Sequence, residues 1–255
     1  MLQLAIERVG DDRSALYVRF VQRNGAVIFD VDGTLVDSND AHAAAWRDVL
    51  GAFGFKCDFG DIRRLIGMGG DKLLPALTGI SADGELGRRI AEQRARRFRD
   101  AYFDQLRPFP EARALLTRIA RDGFRLGIAS SAKKDELDRL LEIAGVDDLI
   151  DRQTSSDDVD ASKPDPDAVH AALAKLRVPA DVAVMVGDTP YDIEAAARAG
   201  IPTIAVRCGG WADADLRGAR AIYDGPADML ARYAPDMFVR AHAGASAGAG
   251  AGAGE

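Results

Sequence analysis

Cysteine is scarce in this 255-residue chain: Cys57 and Cys208 are the only two, and no CxxC spacing occurs. That argues against a disulfide framework and fits thiols in a reducing cytoplasm. Long apolar runs are missing too, and none reaches the length that spans a bilayer. Residues 1–10 carry only a short apolar patch with Glu7 close behind, unlike a secretory signal. Positive charge is in deficit, with 33 Lys and Arg against 40 Asp and Glu, a net charge of −7 and a pI near 5.1. Such a balance disfavours non-specific nucleic-acid binding and anionic membrane surfaces, which select a basic face. No internal repeat is evident.

What is present is enough apolar sequence, 47% of residues, to bury a substantial core. Residues 1–24 scatter charges among apolar positions and read as an extension, either a hairpin or helix packed on the core or an overlong start. The core begins near Gly25 with the buried-strand run Ala26-Val27-Ile28-Phe29. Residues 40–104 then carry only helical patterns, at about 40–53, 61–66, 71–77 and 85–103. The last of these holds Arg88, Arg89, Arg94, Arg96, Arg97 and Arg99, which read as a solvated basic face. After Arg107-Pro108-Phe109-Pro110 the pattern turns to βα alternation, with strands near 125–129, 149–154, 182–186 and 203–206. Helices are expected between them, near 111–120, 133–143, 166–176 and 192–199. The fold class is α/β: a Rossmann-like core with a mostly parallel sheet and a helical segment inserted after the first core strand. The domains are then 25–39 with 105–238 as core, 40–104 as insertion, and 239–255 as a flexible tail of Ala, Gly and Ser.

The chemistry-bearing residues stand at strand ends. The first strand runs into Asp30-Val31-Asp32-Gly33-Thr34-Leu35-Val36-Asp37-Ser38. Alternation puts Asp30 and Asp32 on one side, where like charge and burial oppose ionisation and a hard cation such as Mg²⁺ relieves both. The strand at 125–129 ends at Ser130-Ser131, where a hydroxyl serves either a phosphate oxygen or a helix cap. Ser162-Lys163-Pro164-Asp165-Pro166 stiffens the backbone around a lysine suited to neutralising a phosphoryl group. The strand at 182–186 ends in Gly187-Asp188, with Asp192 four residues later. Asp188 suits a direct metal ligand, and Asp192 either a water-mediated ligand or a helix-start residue.

In this order, D-x-D-G-T, strand-end Ser, K-P and G-D-x-x-x-D, the four motifs resemble those of the haloacid dehalogenase-like (HAD) phosphohydrolase superfamily, over roughly residues 25–211. The resemblance implies Asp30 as the nucleophile that forms an aspartyl-phosphate and Asp32 as the general acid/base. It implies Ser130 and Lys163 as phosphoryl-binding groups. The metal, Mg²⁺, would be held by Asp30, the Asp32 carbonyl and Asp188, with Asp192 in support. One hundred residues separate Asp30 from Ser130 and only thirty-three separate Ser130 from Lys163, spacing that matches a C1-type cap. Residues 37–40 and 104–110 would be its hinges.

In that cap His42 and Trp46 share a helix face, and their H-x-x-x-W pattern resembles sugar-phosphate phosphatases and β-phosphoglucomutase-like members, with His42 reaching Asp32. Gly70 stands where the mutase pattern has an arginine for a second phosphate, a departure that favours hydrolysis, with Lys72 as a substitute cation. Gly70 alternatively serves a turn of positive φ. The resulting expectation is a Mg²⁺-dependent phosphatase of small phosphorylated metabolites, similar to phosphoglycolate phosphatases. The alternatives are a β-phosphoglucomutase-like phosphosugar mutase and a non-catalytic phosphometabolite-binding protein.

Overall fold

A computed structural model describes residues 24–239. The expected extension, apart from Asn24, and the Ala/Gly-rich tail, apart from Val239, lie outside the described residues. Strand β1 (Ala26–Phe29) is four apolar residues, all buried, and it forms the middle of the sheet. Its neighbours are β2 (Arg125–Ala129) and β4 (Ala183–Gly187), both parallel to it, with Phe29 level with Ile128 and Val186. With β3 (Arg152–Thr154), β5 (Thr203–Val206) and β6 (Ala221–Tyr223), the described residues form one parallel sheet in the order β3-β2-β1-β4-β5-β6. Strands buried on both faces read as continuous apolar runs, which explains why β1 and β4 stand out in the sequence. The edge strand β6, three half-buried residues long, carries no such run and was not expected.

Four helices form the segment inserted after β1: α1 (Asn39–Ala52), α2 (Phe59–Leu65), α3 (Gly70–Thr78) and α4 (Glu85–Tyr102). They bury a core of their own, in which Trp46, Leu50, Ile62, Leu74 and Ile90 meet. Phe98 of α4 instead joins the core around the sheet. The outgoing and returning segments run side by side, with the Asp37 N–H donating to the Arg107 carbonyl at 3.0 Å and the Phe109 N–H to Leu35 at 2.9 Å.

The remaining helices alternate with strands: α5 (Ala112–Arg121), α6 (Lys134–Ala144), α7 (Asp167–Leu176), α8 (Pro190–Arg198) and α9 (Pro226–Ala231). Their buried faces follow helical spacing, as with Leu137, Leu140, Leu141 and Ala144 of α6. Gly145, at φ 64°, ends α6 in the left-handed conformation common at helix C-termini. Because every strand is parallel, β1, β2 and β4 deliver their carboxyl ends, and hence Asp30, Ser130 and Asp188, to one edge of the sheet.

Candidate active site

Asp30 follows β1 directly, its N–H donating to the Val186 carbonyl at 2.9 Å. Its carboxylate accepts a hydrogen bond from Lys163 Nζ, and the same ammonium donates to Asp192 Oδ1 at 2.7 Å. All three side chains are buried. Asp188 is fully buried beside them, and one oxygen each of Asp30, Asp188 and Asp192 fall within 4.8 Å of one another. Asp188 accepts from Thr34 Oγ1 at 3.1 Å and from Asn39 Nδ2 at 2.9 Å. Gly33 (φ +75°) and Gly209 press against it so closely that a Cβ on either would overlap its carboxylate.

This cluster is over-acidic. Burial, then the Asp192 charge, pushes the Asp188 carboxyl up to about 7 against hydrogen bonds from Asn39 and Thr34. Burial likewise holds Asp30 well above its ordinary value, since Lys163 offsets that cost and the repulsion of Asp192, Asp188 and Asp32 only in part. Burial alone would lower the Lys163 ammonium, but the charges of Asp192 and Asp30 raise it above its usual value. One buried cation thus faces three buried carboxylates. A donor set of hard oxygens with excess negative charge and a glycine-walled cradle fits a divalent cation such as Mg²⁺.

Asp192 has both oxygens engaged. Oδ1 accepts from Lys163, while Oδ2 accepts from the Thr189 N–H at 3.0 Å and Thr189 Oγ1 at 2.7 Å, in a capping box that starts α8. The helix-start role left open by the sequence is therefore the one the geometry displays.

Asp32 points away from this cluster, toward α1. Its Oδ1 accepts from Ser38 Oγ at 2.5 Å and lies 2.7 Å from His42 Nε2. Burial pushes the Asp32 carboxyl up, but the adjoining His42, the hydrogen bonds from His42 and Ser38, and the charge of Arg94 bring it below its usual value. Asp30 and Asp32, expected on one side of the strand end, instead bind different partners and occupy different electrostatic settings.

Asp30, Asp32, His42, Trp46, Arg94 and Lys163 line a cavity of about 270 Å³ between the helical segment and the sheet edge. Ser130 is buried next to it, its Oγ accepting from the Ala132 N–H at 3.0 Å, with its hydroxyl hydrogen still to donate. Lys72 is not among the lining residues. Its ammonium turns to Asp165 at 2.5 Å, so the expected substrate contact is replaced by an ion pair. Gly70 does not hold a turn of positive φ. That conformation belongs to Gly67 (φ +110°), whereas Gly70 lies where a Cβ would sit 3.2 Å from the Trp46 ring.

The basic face of α4 needs a larger correction. Arg94 is only 15% exposed and lines the cavity, bound to Glu136 and His42 and lying over Trp46 and Phe98. Its position was legible, since Ile90, Arg94 and Phe98 follow one another at four-residue intervals on the buried face. Asn39, Thr34 and Glu136 were also missed. Their polar side chains reach the site through pairings 149, 154 and 42 residues apart, respectively, which no local pattern discloses.

The free thiols expected from isolated cysteines are present as Cys57 and Cys208, and no helix among the described residues is long and apolar enough to cross a membrane. A family model described as haloacid dehalogenase-like hydrolase matches residues 27–206. The chain is 34% identical over 192 residues to the phosphoglycolate phosphatase of Rhodospirillum rubrum, covering 72% of this chain and 80% of that protein. It is 29% identical over 218 residues to the pyrophosphatase PpaX of Bacillus velezensis, covering 84% and 91%. A crystal structure of a hydrolase from Pseudomonas syringae superposes with a TM-score of 0.78 at 31% identity, covering 85% of this chain and all of that one.

Proposed function

This chain belongs to the haloacid dehalogenase-like hydrolase family, and we propose that it hydrolyses small phosphate monoesters through an aspartyl-phosphate formed on Asp30. The observation that carries the reading is Asp30 itself: a buried carboxylate tied to Lys163, within 4.8 Å of Asp188 and Asp192, on the wall of a 270 Å³ cavity. A cavity of that size suits a small metabolite.

Asp30 attacks phosphorus as the P–O bond to the leaving group breaks. Asp32, ionised in the free site, takes up the proton of the substrate monoanion, gives it to the departing alkoxide, and then takes one from the water that attacks the aspartyl-phosphate and releases it with the phosphate. Inorganic phosphate leaves, and both carboxylates return to their starting states. Lys163 and the Ser130 hydroxyl bind phosphoryl oxygens, and Asp192 positions Lys163. The carboxylates of Asp30 and Asp188 and the Asp32 carbonyl would hold Mg²⁺, which would supply positive charge toward the phosphoryl oxygens. The helical segment 40–104 acts as a cap hinged at 37–40 and 104–110, and it excludes bulk water over Asp30 and Asp32.

The names of the R. rubrum and B. velezensis relatives support phosphoglycolate and pyrophosphate as first compounds to test. A phosphosugar mutase finds less support. Gly70 offers no cation against Trp46, and Lys72 is committed to Asp165. Phosphate release from a panel of metabolite monophosphates with Mg²⁺ tests the reading. Stoichiometric inorganic phosphate is expected; product isomerisation without phosphate release, or binding without turnover, would contradict it.

A further inference from the structure

Four side chains make a continuous chain from α6 to the active-site loop. The Glu136 carboxylate, 5% exposed, accepts from Arg94 Nη1 at 2.9 and 3.2 Å. Arg94 Nη2 hydrogen-bonds His42 Nδ1, and His42 Nε2 lies 2.7 Å from Asp32 Oδ1. A guanidinium has donors and no acceptor. His42 Nδ1 is therefore the acceptor in its contact with Arg94 and bears no proton. The ring's single proton lies on Nε2, where it is donated to Asp32. Packing clamps the arrangement: the His42 ring stacks on Phe98 with centroids 3.9 Å apart and planes at 16°, and the Arg94 guanidinium covers the same phenyl ring at 5.1 Å.

We propose that Arg94 is a positioning residue that holds His42 as its neutral Nε2–H tautomer, so that His42 donates to Asp32 while Glu136 seats α4 against α6. The proposal rests on the reading of Asp32 as the acid/base. The tautomer matters because the opposite one would turn a nitrogen lone pair toward the Asp32 carboxylate and repel it. A doubly protonated ring would be a second acid competing with Asp32. Only the Nε2–H form fixes the carboxylate without taking over its proton traffic. Arg94 comes from the helical segment and Glu136 from the sheet unit, so the orientation is complete only where the two segments meet.

The test uses the full chain labelled with ¹⁵N-histidine. The sequence has three histidines, and His42→Asn assigns the signals of His42. Without substrate, wild-type His42 is expected to show a proton-bearing Nε2 and an unprotonated Nδ1. Arg94→Met is expected to collapse this into averaged tautomers and to lower kcat by about tenfold or more, the scale of losing an orienting partner. Arg94→Lys, which keeps a donor-only group, is expected to restore both. A wild-type spectrum with Nδ1 protonated overturns the proposal, as does an Arg94→Met spectrum identical to wild type. Should Arg94→Met fail to fold, the wild-type and Arg94→Lys spectra still decide. Because the spectra need no turnover, a failure of the phosphatase reading is seen separately, as missing phosphate release.

Discussion

Lys163 Nζ stands 2.7 Å from Asp192 Oδ1 while also hydrogen-bonding Asp30, so a single buried ammonium is shared between a carboxylate at the end of β1 and another at the start of α8. Breaking a buried ion pair by removing one partner typically costs about 3–5 kcal/mol, because the other charge stays buried. Lys163→Met is therefore expected to lose stability on that scale in urea unfolding without metal, along with phosphate release. A variant within about 1 kcal/mol of wild type would show that Lys163 is not the counter-ion.

Metal-free stability should depend on pH through Asp188. Its folded value, about 7, lies above the ordinary 3.8, so the native state holds the proton more tightly. The stabilisation is complete below about pH 4 and is lost as pH rises through about 7, by an amount on the order of a few kcal/mol. Mg²⁺ favours the ionised carboxylate and should stabilise the protein more at pH 7 than at pH 4. Asp188→Asn should abolish the Mg²⁺ response and reduce the slope in thermal denaturation, the remaining slope coming from Asp30, which burial also holds above its ordinary value. A Mg²⁺ response equal at the two pH values would contradict this account.

Gly33→Ala places a methyl group against Asn39 and Asp188 at a backbone φ of +75°. Strain of this kind costs about 1–3 kcal/mol, and overlap with the carboxylate displaces the metal cradle as well. The expected outcome is a large increase in the Mg²⁺ concentration needed for half-maximal activity. Unchanged Mg²⁺ dependence would mean that the cradle is not a metal site.

Lys72→Ala removes an ammonium that faces Asp165 outside the cavity. Partly exposed pairs of this type contribute about 0–1 kcal/mol. KM should therefore stay within about twofold of wild type, at a stability loss of that order. A tenfold rise in KM would return Lys72 to the substrate.

The parallel sheet was legible because β1, β2, β4 and β5 are largely apolar, and β1, β2 and β4 run into Asp30, Ser130 and Asp188. The edge strand β6 was not, since three half-buried residues carry no period. Within the site, Asp30, Asp32, Ser130, Lys163, Asp188 and Asp192 could be named from short motifs, and His42 from its spacing to Trp46. Arg94 was misread because a run of arginines hides which one turns inward; the apolar residues four positions to either side disclosed it. The ion pair of Lys72 was hidden for the converse reason. The place of Lys72 in a glycine-rich loop says nothing about Asp165, which lies 93 residues away in sequence.

In the proposed reaction Asp30 carries the phosphoryl group, and chemical capture of that group tests it. Asp32→Asn lacks the group that activates water, yet an aryl phosphate has a leaving group good enough to phosphorylate Asp30 unaided. Rapid acid quench with Mg²⁺, followed by peptide mass spectrometry, should find one phosphoryl group on the peptide containing Asp30, absent from the Asp30→Asn/Asp32→Asn double variant. Phosphate release by Asp30→Asn at the wild-type rate, with no phosphoryl group on that peptide, would contradict the account.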